Sequence, residues 1–240
     1  MSLKSFTLNI DSSLKPFKKK ILVDSDKSLS IRSFLIGSIS QNISKVINVL
    51  ESEDVLSTVS CLKKLGVKIE KKRPKSYLIY GKGLGSLLAK KNLELNFGNS
   101  GTLARLLVGI LSTTPDIEVK IKGDHSLNKR SMKKLFKLMS RFGAYFYPKD
   151  KYKFPIKMIS SELPIGINYE AGISAQLKSA VILAALNSYG NTEIKEKDKS
   201  RDHTENLLLY QAIGCTLSFL PSGIFFKEKP KFFPSNAART

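Results

Sequence analysis

Apolar and polar residues follow one order three times along the chain: a short alternating run, a long apolar helix, a second strand, an amphipathic helix and two closing strands. This predicts an α/β fold of three β-α-β-α-β-β units. Lead-in strands are expected at Lys19–Val23, Leu93–Phe97 and Ile165–Tyr169, with first helices near residues 28–39, 101–112 and 174–187. Helix starts at 28, 101 and 174 keep a constant step of 73 residues, the mark of duplication. Middle strands fall at Lys45–Val49, Ile117–Ile121 and Thr192–Glu196. The second helices carry the helical period in Val55, Val59 and Leu62, and in Met132, Leu135, Met139 and Phe142. Each is expected to stop at a glycine suited to a left-handed turn, namely Gly66, Gly143 and Gly214. Asp202 followed by Glu205 has the spacing of a capping box at the third. Closing strands follow at Tyr77–Tyr80, Phe154–Met158 and Ile224–Phe226, while residues 1–18 stand apart.

The first helices of units two and three are apolar on nearly every side, which places them inside the domain. Each first helix nevertheless carries a cation four residues after a small one: Ser28 and Arg32, Gly101 and Arg105, Ser174 and Lys178. A buried cation needs a carboxylate partner or access to a ligand, whereas a snorkelling surface cation needs neither. Helix starts present free N–H groups that favour anions. Three such starts brought together would suit a phosphorylated, carboxylated small molecule.

Composition narrows the class. With 240 residues, 42% hydrophobic and 25% charged, the chain is expected to be globular. Residues 1–20 hold no apolar stretch resembling a secretory signal, and the longest apolar run, Ala180 to Leu186, is too short for a bilayer. A cytoplasmic location without membrane association is expected. Cys61 and Cys215 are too isolated for a disulfide framework, and His125 and His203 have no ligand partner at metal-binding spacing, so no structural metal is expected. The net charge of +20 fits a nucleic-acid-binding module or a cleft that focuses small anions. Lysines are spread over every unit without an aromatic-rich RNA-binding signature, which by itself decides little: no nucleic-acid partner is expected, with a basic nucleic-acid-binding module kept as the alternative.

Candidate chemistry lies in ordered motifs: DKSLSIRSFLIGS from Asp26, ESEDVLSTVSCLKKLG from Glu51, FGNSGTLARLLVG from Phe97, GDHSLNKRSM from Gly123, SAQLKSAVILAALN from Ser174 and SRDHTE from Ser200. In this order they resemble the first half of the 5-enolpyruvylshikimate-3-phosphate (EPSP) synthase family. The resemblance implies one lobe of an inside-out α/β enolpyruvyl transferase fold with buried parallel helices. That lobe would span residues 19–228, with residues 1–18 crossing to a second lobe and 229–240 beginning the linker toward it. It further implies carboxyvinyl transfer from phosphoenolpyruvate to the 5-hydroxyl of shikimate 3-phosphate, without cofactor or metal. By resemblance, Lys27, Ser28, Arg32, Ser174, Ala175, Gln176 and Arg201 would hold shikimate 3-phosphate. Lys27, Gly101 and Arg130 would hold phosphoenolpyruvate, supported by Asn99, Thr102 and Arg105. Lys27, touching both substrates, is the catalytic candidate.

Two motifs depart from the family's usual spelling. Asp24-Ser25-Asp26-Lys27-Ser28 stands where PGDKS is usual, and Lys129-Arg130-Ser131-Met132 where KRPM is usual. Proline and glycine are replaced while the cations remain. The family's proton-accepting aspartate and its opposing phosphoenolpyruvate clasp would belong to the second lobe, so this chain is expected to be inactive alone. The sister UDP-N-acetylglucosamine enolpyruvyl transferases are the nearest alternative, but their loop cysteine has no counterpart here.

Overall fold

The computed structural model describes residues 24–210 and the strands at Leu217–Leu220 and Gly223–Phe226. The expectations for residues 1–18, strand 19–23, Gly214, Cys215 and residues 229–240 lie outside them. Unit one contributes α1 (Lys27–Ile39), β1 (Ile43–Ile47), α2 (Glu53–Lys64), β2 (Lys68–Arg73) and β3 (Ser76–Tyr80). Unit two contributes β4 (Leu93–Asn96), α3 (Gly101–Thr113), β5 (Glu118–Lys122), α4 (His125–Lys129), α5 (Lys133–Arg141), β6 (Tyr145–Tyr147) and β7 (Ile156–Ile159). Unit three contributes β8 (Asn168–Ala171), α6 (Ala175–Ala185), β9 (Thr192–Glu196), α7 (His203–Tyr210), β10 (Leu217–Leu220) and β11 (Gly223–Phe226). The short helix α4 has no counterpart in the sequence reading.

Duplication is visible in the sheets. Units two and three have the orders β4-β5-β7-β6 and β8-β9-β11-β10, each with a parallel first pair and antiparallel partners after it. The described strands of unit one, β1-β3-β2, repeat the last three places of that order. Each sheet turns one face inward: along β5, Val119 and Ile121 are buried while Glu118 and Lys120 are exposed. Amphipathic helices close over the inner faces, as where Phe136 of α5 stacks on Phe146 of β6 with ring centroids 4.3 Å apart. Gly66 and Gly143 take the expected left-handed conformation after α2 and α5, at φ +85° and +97°.

Several strand edges shift for local reasons. β1 ends at Ile47 because Asn48 turns to φ +58°. β8 begins at Asn168 rather than Ile165, because the Ile167 N–H donates to Thr192 Oγ1 instead of joining a ladder. β7 begins after Pro155, which has no N–H to offer. Cys61 is buried, its thiol facing the Asn96 carbonyl oxygen at 3.3 Å, and burial pushes its pKa up to about 12. Such a thiol is an inert packing group.

Helices α3 and α6 form the centre. Their contacts run in step along both axes: Gln176 Nε2 donates to Thr102 Oγ1 (3.0 Å), Gly109 lies against Ala180, and Thr113 Oγ1 donates to the Ala184 carbonyl (3.0 Å). Starts, middles and ends are therefore adjacent, so the pair lies side by side and parallel. Gly109 permits the close approach, since a methyl group there would stand 2.5 Å from the Ala180 carbonyl oxygen. Among the described residues no helix is long and apolar enough to cross a membrane.

Candidate active site

The three first helices open on side-chain caps. Asp26 accepts from the Leu29 N–H (2.6 Å), Ser100 from Leu103 (3.2 Å) and Ser174 from Leu177 (3.4 Å). Caps and their partners both repeat at 74 residues, not the 73 expected from the motifs. The cations keep the step of 73, so Arg32, Arg105 and Lys178 fall six, five and four residues after their caps. One residue is about 100° around a helix. The three equivalent cations therefore face different surroundings.

Lys178 is fully buried, and its ammonium lies 2.7 Å from Glu205, 2.9 Å from Glu196 and 2.9 Å from Asp202. Burial alone would lower its pKa, but the bonds from Glu205, Asp202 and Glu196 outweigh it and raise it. Lys178 is thus a structural cation. This corrects the capping-box reading of Asp202 and Glu205: both carboxylates turn inward to Lys178, because a buried ammonium without a counter-charge costs more than an uncapped helix start.

Arg105 is the opposite case. Its Nη1 donates to the carbonyl of Gly101 at 2.8 Å, and among the described residues no carboxylate pairs with it. Burial, then the charge of Arg130, lowers its pKa. Arg130 is exposed, with Nη2 donating to Asn99 Oδ1 (2.5 Å) and Ser126 Oγ (3.3 Å). A methyl group on Gly101 would stand 2.9 Å from Arg105 Nη1 and 3.1 Å from Arg130 Nη1. Two guanidinium groups thus share the space in front of a residue without a side chain. Such an arrangement attracts an anion with several oxygens. Arg105 also lines a hollow of about 350 Å³ with Ser131, Met132, Ser174 and Leu177.

A family model described as EPSP synthase (3-phosphoshikimate 1-carboxyvinyltransferase) matches residues 12–217. The chain belongs to the EPSP synthase family. The 3-phosphoshikimate 1-carboxyvinyltransferase of Caldicellulosiruptor saccharolyticus is 40% identical over 224 residues, 92% of this chain and 50% of that protein. That of Paramagnetospirillum magneticum is 39% identical over 196 residues, 81% of this chain and 43% of that protein. An EPSP synthase structure from Acinetobacter baumannii matches with a TM-score of 0.79 at 35% identity, over 88% of this chain and 47% of that one. The chain spans about half the length of the curated relatives it matches.

In this EPSP synthase family member, the remaining candidates divide. Arg32, read from the sequence as an open fork at a helix start, is only 2% exposed. Its Nε donates to Thr204 Oγ1 (2.8 Å), Nη1 to the Ser28 carbonyl (3.1 Å) and Nη2 to Ser179 Oγ (3.2 Å). Burial lowers its pKa, against the opposing charges of Glu205 and Asp26. Lys27 turns to Asp54 at the start of α2, 3.1 Å away. Gln176 and Thr102 bridge the first turns of α6 and α3, and Ala175 sits half-buried beside them. Arg201 is exposed ahead of α7 and, among the described residues, bonds to none of the other candidates. The sequence reading missed Asp54, Ser179 and Thr204 as partners. Ser179 and Thr204 each adjoin a charged residue, Lys178 and Glu205, and that adjacency was the available signal.

Proposed function

We propose that this chain is the shikimate 3-phosphate-binding half of an EPSP synthase and that it takes part in carboxyvinyl transfer from phosphoenolpyruvate. The observation that carries this reading is the meeting of Arg105 and Arg130 at Gly101 without a carboxylate among the described residues. Phosphoenolpyruvate brings a phosphate and a carboxylate, the groups a planar fork of donors recognises. Arg130 and Gly101 would face it, with Asn99, Thr102 and Arg105 holding the loop. Lys27, on a flexible stem, would leave Asp54 to reach both substrates. Arg32, Ser28, Ala175, Gln176 and Arg201 would hold shikimate 3-phosphate, with Ser174 contributing beside its capping bond.

In the reaction, the 5-hydroxyl oxygen bonds to C2 of phosphoenolpyruvate as C3 gains a proton, and the hydroxyl proton passes to a base. The tetrahedral adduct then loses phosphate from C2 and a proton from C3, restoring the double bond. Fixed cations near the leaving phosphate stabilise the developing charge. The base and the opposite wall of the cleft would come from a second lobe, so the chain alone should bind without turnover.

Calorimetric titration with shikimate 3-phosphate tests the binding role. The wild-type chain is expected to bind, and Arg32→Ala to bind at least about 10-fold more weakly, the loss of a charge-assisted hydrogen bond. Equal affinity in the two proteins, or no binding by the wild type, would count against it. Enolpyruvyl transfer by the chain alone would refute the half-site reading.

A further inference from the structure

Helices α6 and α7 meet through two consecutive residues on each. Lys178 faces Glu205, while Ser179 faces Thr204, whose hydroxyl donates to Ser179 Oγ at 2.8 Å. Ser179 in turn donates to the carbonyl of Ala175 at 2.8 Å. Into this polar junction α1 inserts the Arg32 guanidinium, which bonds both hydroxyl groups. The junction is buried: Ser179 and Thr204 are fully buried and Glu205 is 3% exposed.

Arg32 is therefore gripped at all three nitrogens, by its own helix, by α6 and by α7. A planar guanidinium held at three nitrogens has no rotation left. Its two uncommitted N–H groups, of the five it carries, point in directions set by those partners. No carboxylate among the described residues lies within ion-pair distance of Arg32. The charges of Glu205 and Asp26 act on it without either carboxylate forming an ion pair. A guanidinium so tightly oriented and so incompletely neutralised is arranged for an incoming anion.

We propose that Thr204, Glu205 and Lys178 are positioning residues for Arg32. The Lys178–Glu205 pair fixes the rotation of α7 on α6, which places the Thr204 hydroxyl, and Thr204 sets the plane of the guanidinium that meets the substrate phosphate. This rests on the reading of Arg32 as a shikimate 3-phosphate ligand. None of the three touches the substrate. Their effect is on orientation.

The Arg32 Nε–H resonance and the affinity of the chain for shikimate 3-phosphate test the relay in four proteins: wild type, Thr204→Val, Thr204→Ser and Glu205→Gln. Glu205→Gln leaves Lys178 two carboxylates, so the fold is expected to persist, and the thermal midpoint reports whether it does. Wild type should show a slowly exchanging Nε–H. Exchange should quicken about 10-fold or more in Thr204→Val and Glu205→Gln, with affinity falling about 10-fold in both, and Thr204→Ser should restore both readouts. Unchanged exchange and affinity in Thr204→Val, or failure of Thr204→Ser to restore them, would overturn the proposal. If wild type does not bind shikimate 3-phosphate, the proposed function fails. The exchange rate in Glu205→Gln, where Thr204 is intact, then decides the relay: quickened supports it and unchanged overturns it.

Discussion

Arg105 and Lys178 are sister cations of one duplicated unit, each near the start of a buried helix in the same packed pair. Lys178 is enclosed by three carboxylates, whereas Arg105 meets a second arginine at a glycine. The difference traces to one residue of spacing between cap and cation, which turns one side chain toward α7 and the other toward the loop before α5. Duplication thus supplied the same chemical group to two places. A counter-charge made one structural, and among the described residues the other has none.

Substituting both cations by methionine tests that contrast most severely. Lys178→Met strands the buried Glu205 and removes the cation shared with the part-exposed Glu196 and Asp202, and is expected to cost about 3–5 kcal/mol. Arg105→Met removes an unpaired charge that Arg130 repels, and should change stability by no more than about 1 kcal/mol. Urea denaturation of the two variants measures both, and equal losses would erase the distinction. A smaller effect is expected from Gly109→Ala, which leaves both cations intact but forces apart the helices that carry them. Overpacking there should cost about 1–3 kcal/mol, read as a lower thermal midpoint; an unchanged midpoint would mean that the close approach is not needed.

The smallest effect is with acid. The Glu196 carboxyl is held below its ordinary value: burial acts to raise its pKa, but bonds from Lys178 and Ser200 lower it further. A depressed carboxylate adds stability above its unfolded pKa and loses it as pH falls through the folded one. Below the ordinary value of about 4.5, wild type should therefore lose stability more steeply than Lys178→Met. Parallel pH profiles for the two proteins would sink this assignment.

Much of the fold was legible because periodicity and punctuation agreed. Apolar helices, alternating strands and the glycines after α2 and α5 all emerged near their expected places. Strand edges were less legible, since Asn48 and Thr192 act through a backbone twist and a side-chain bond that no periodicity encodes. The need of Lys178 or Arg105 for a carboxylate or a ligand could be read from their burial. Which would take which could not, because the motifs repeat every 73 residues and the caps every 74. Arg32 was legible as a fork but not as a buried one, since its partners lie 147 and 172 residues away.

The in-step contacts of Thr102, Gly109 and Thr113 with α6 have an electrostatic corollary. Parallel neighbours align their backbone dipoles, so two positive poles, each worth roughly half an elementary charge, stand together and repel. Ordinary antiparallel bundles avoid that tension. Here the polypeptide backbone itself would keep this end of the molecule electropositive if every nearby arginine were neutralised.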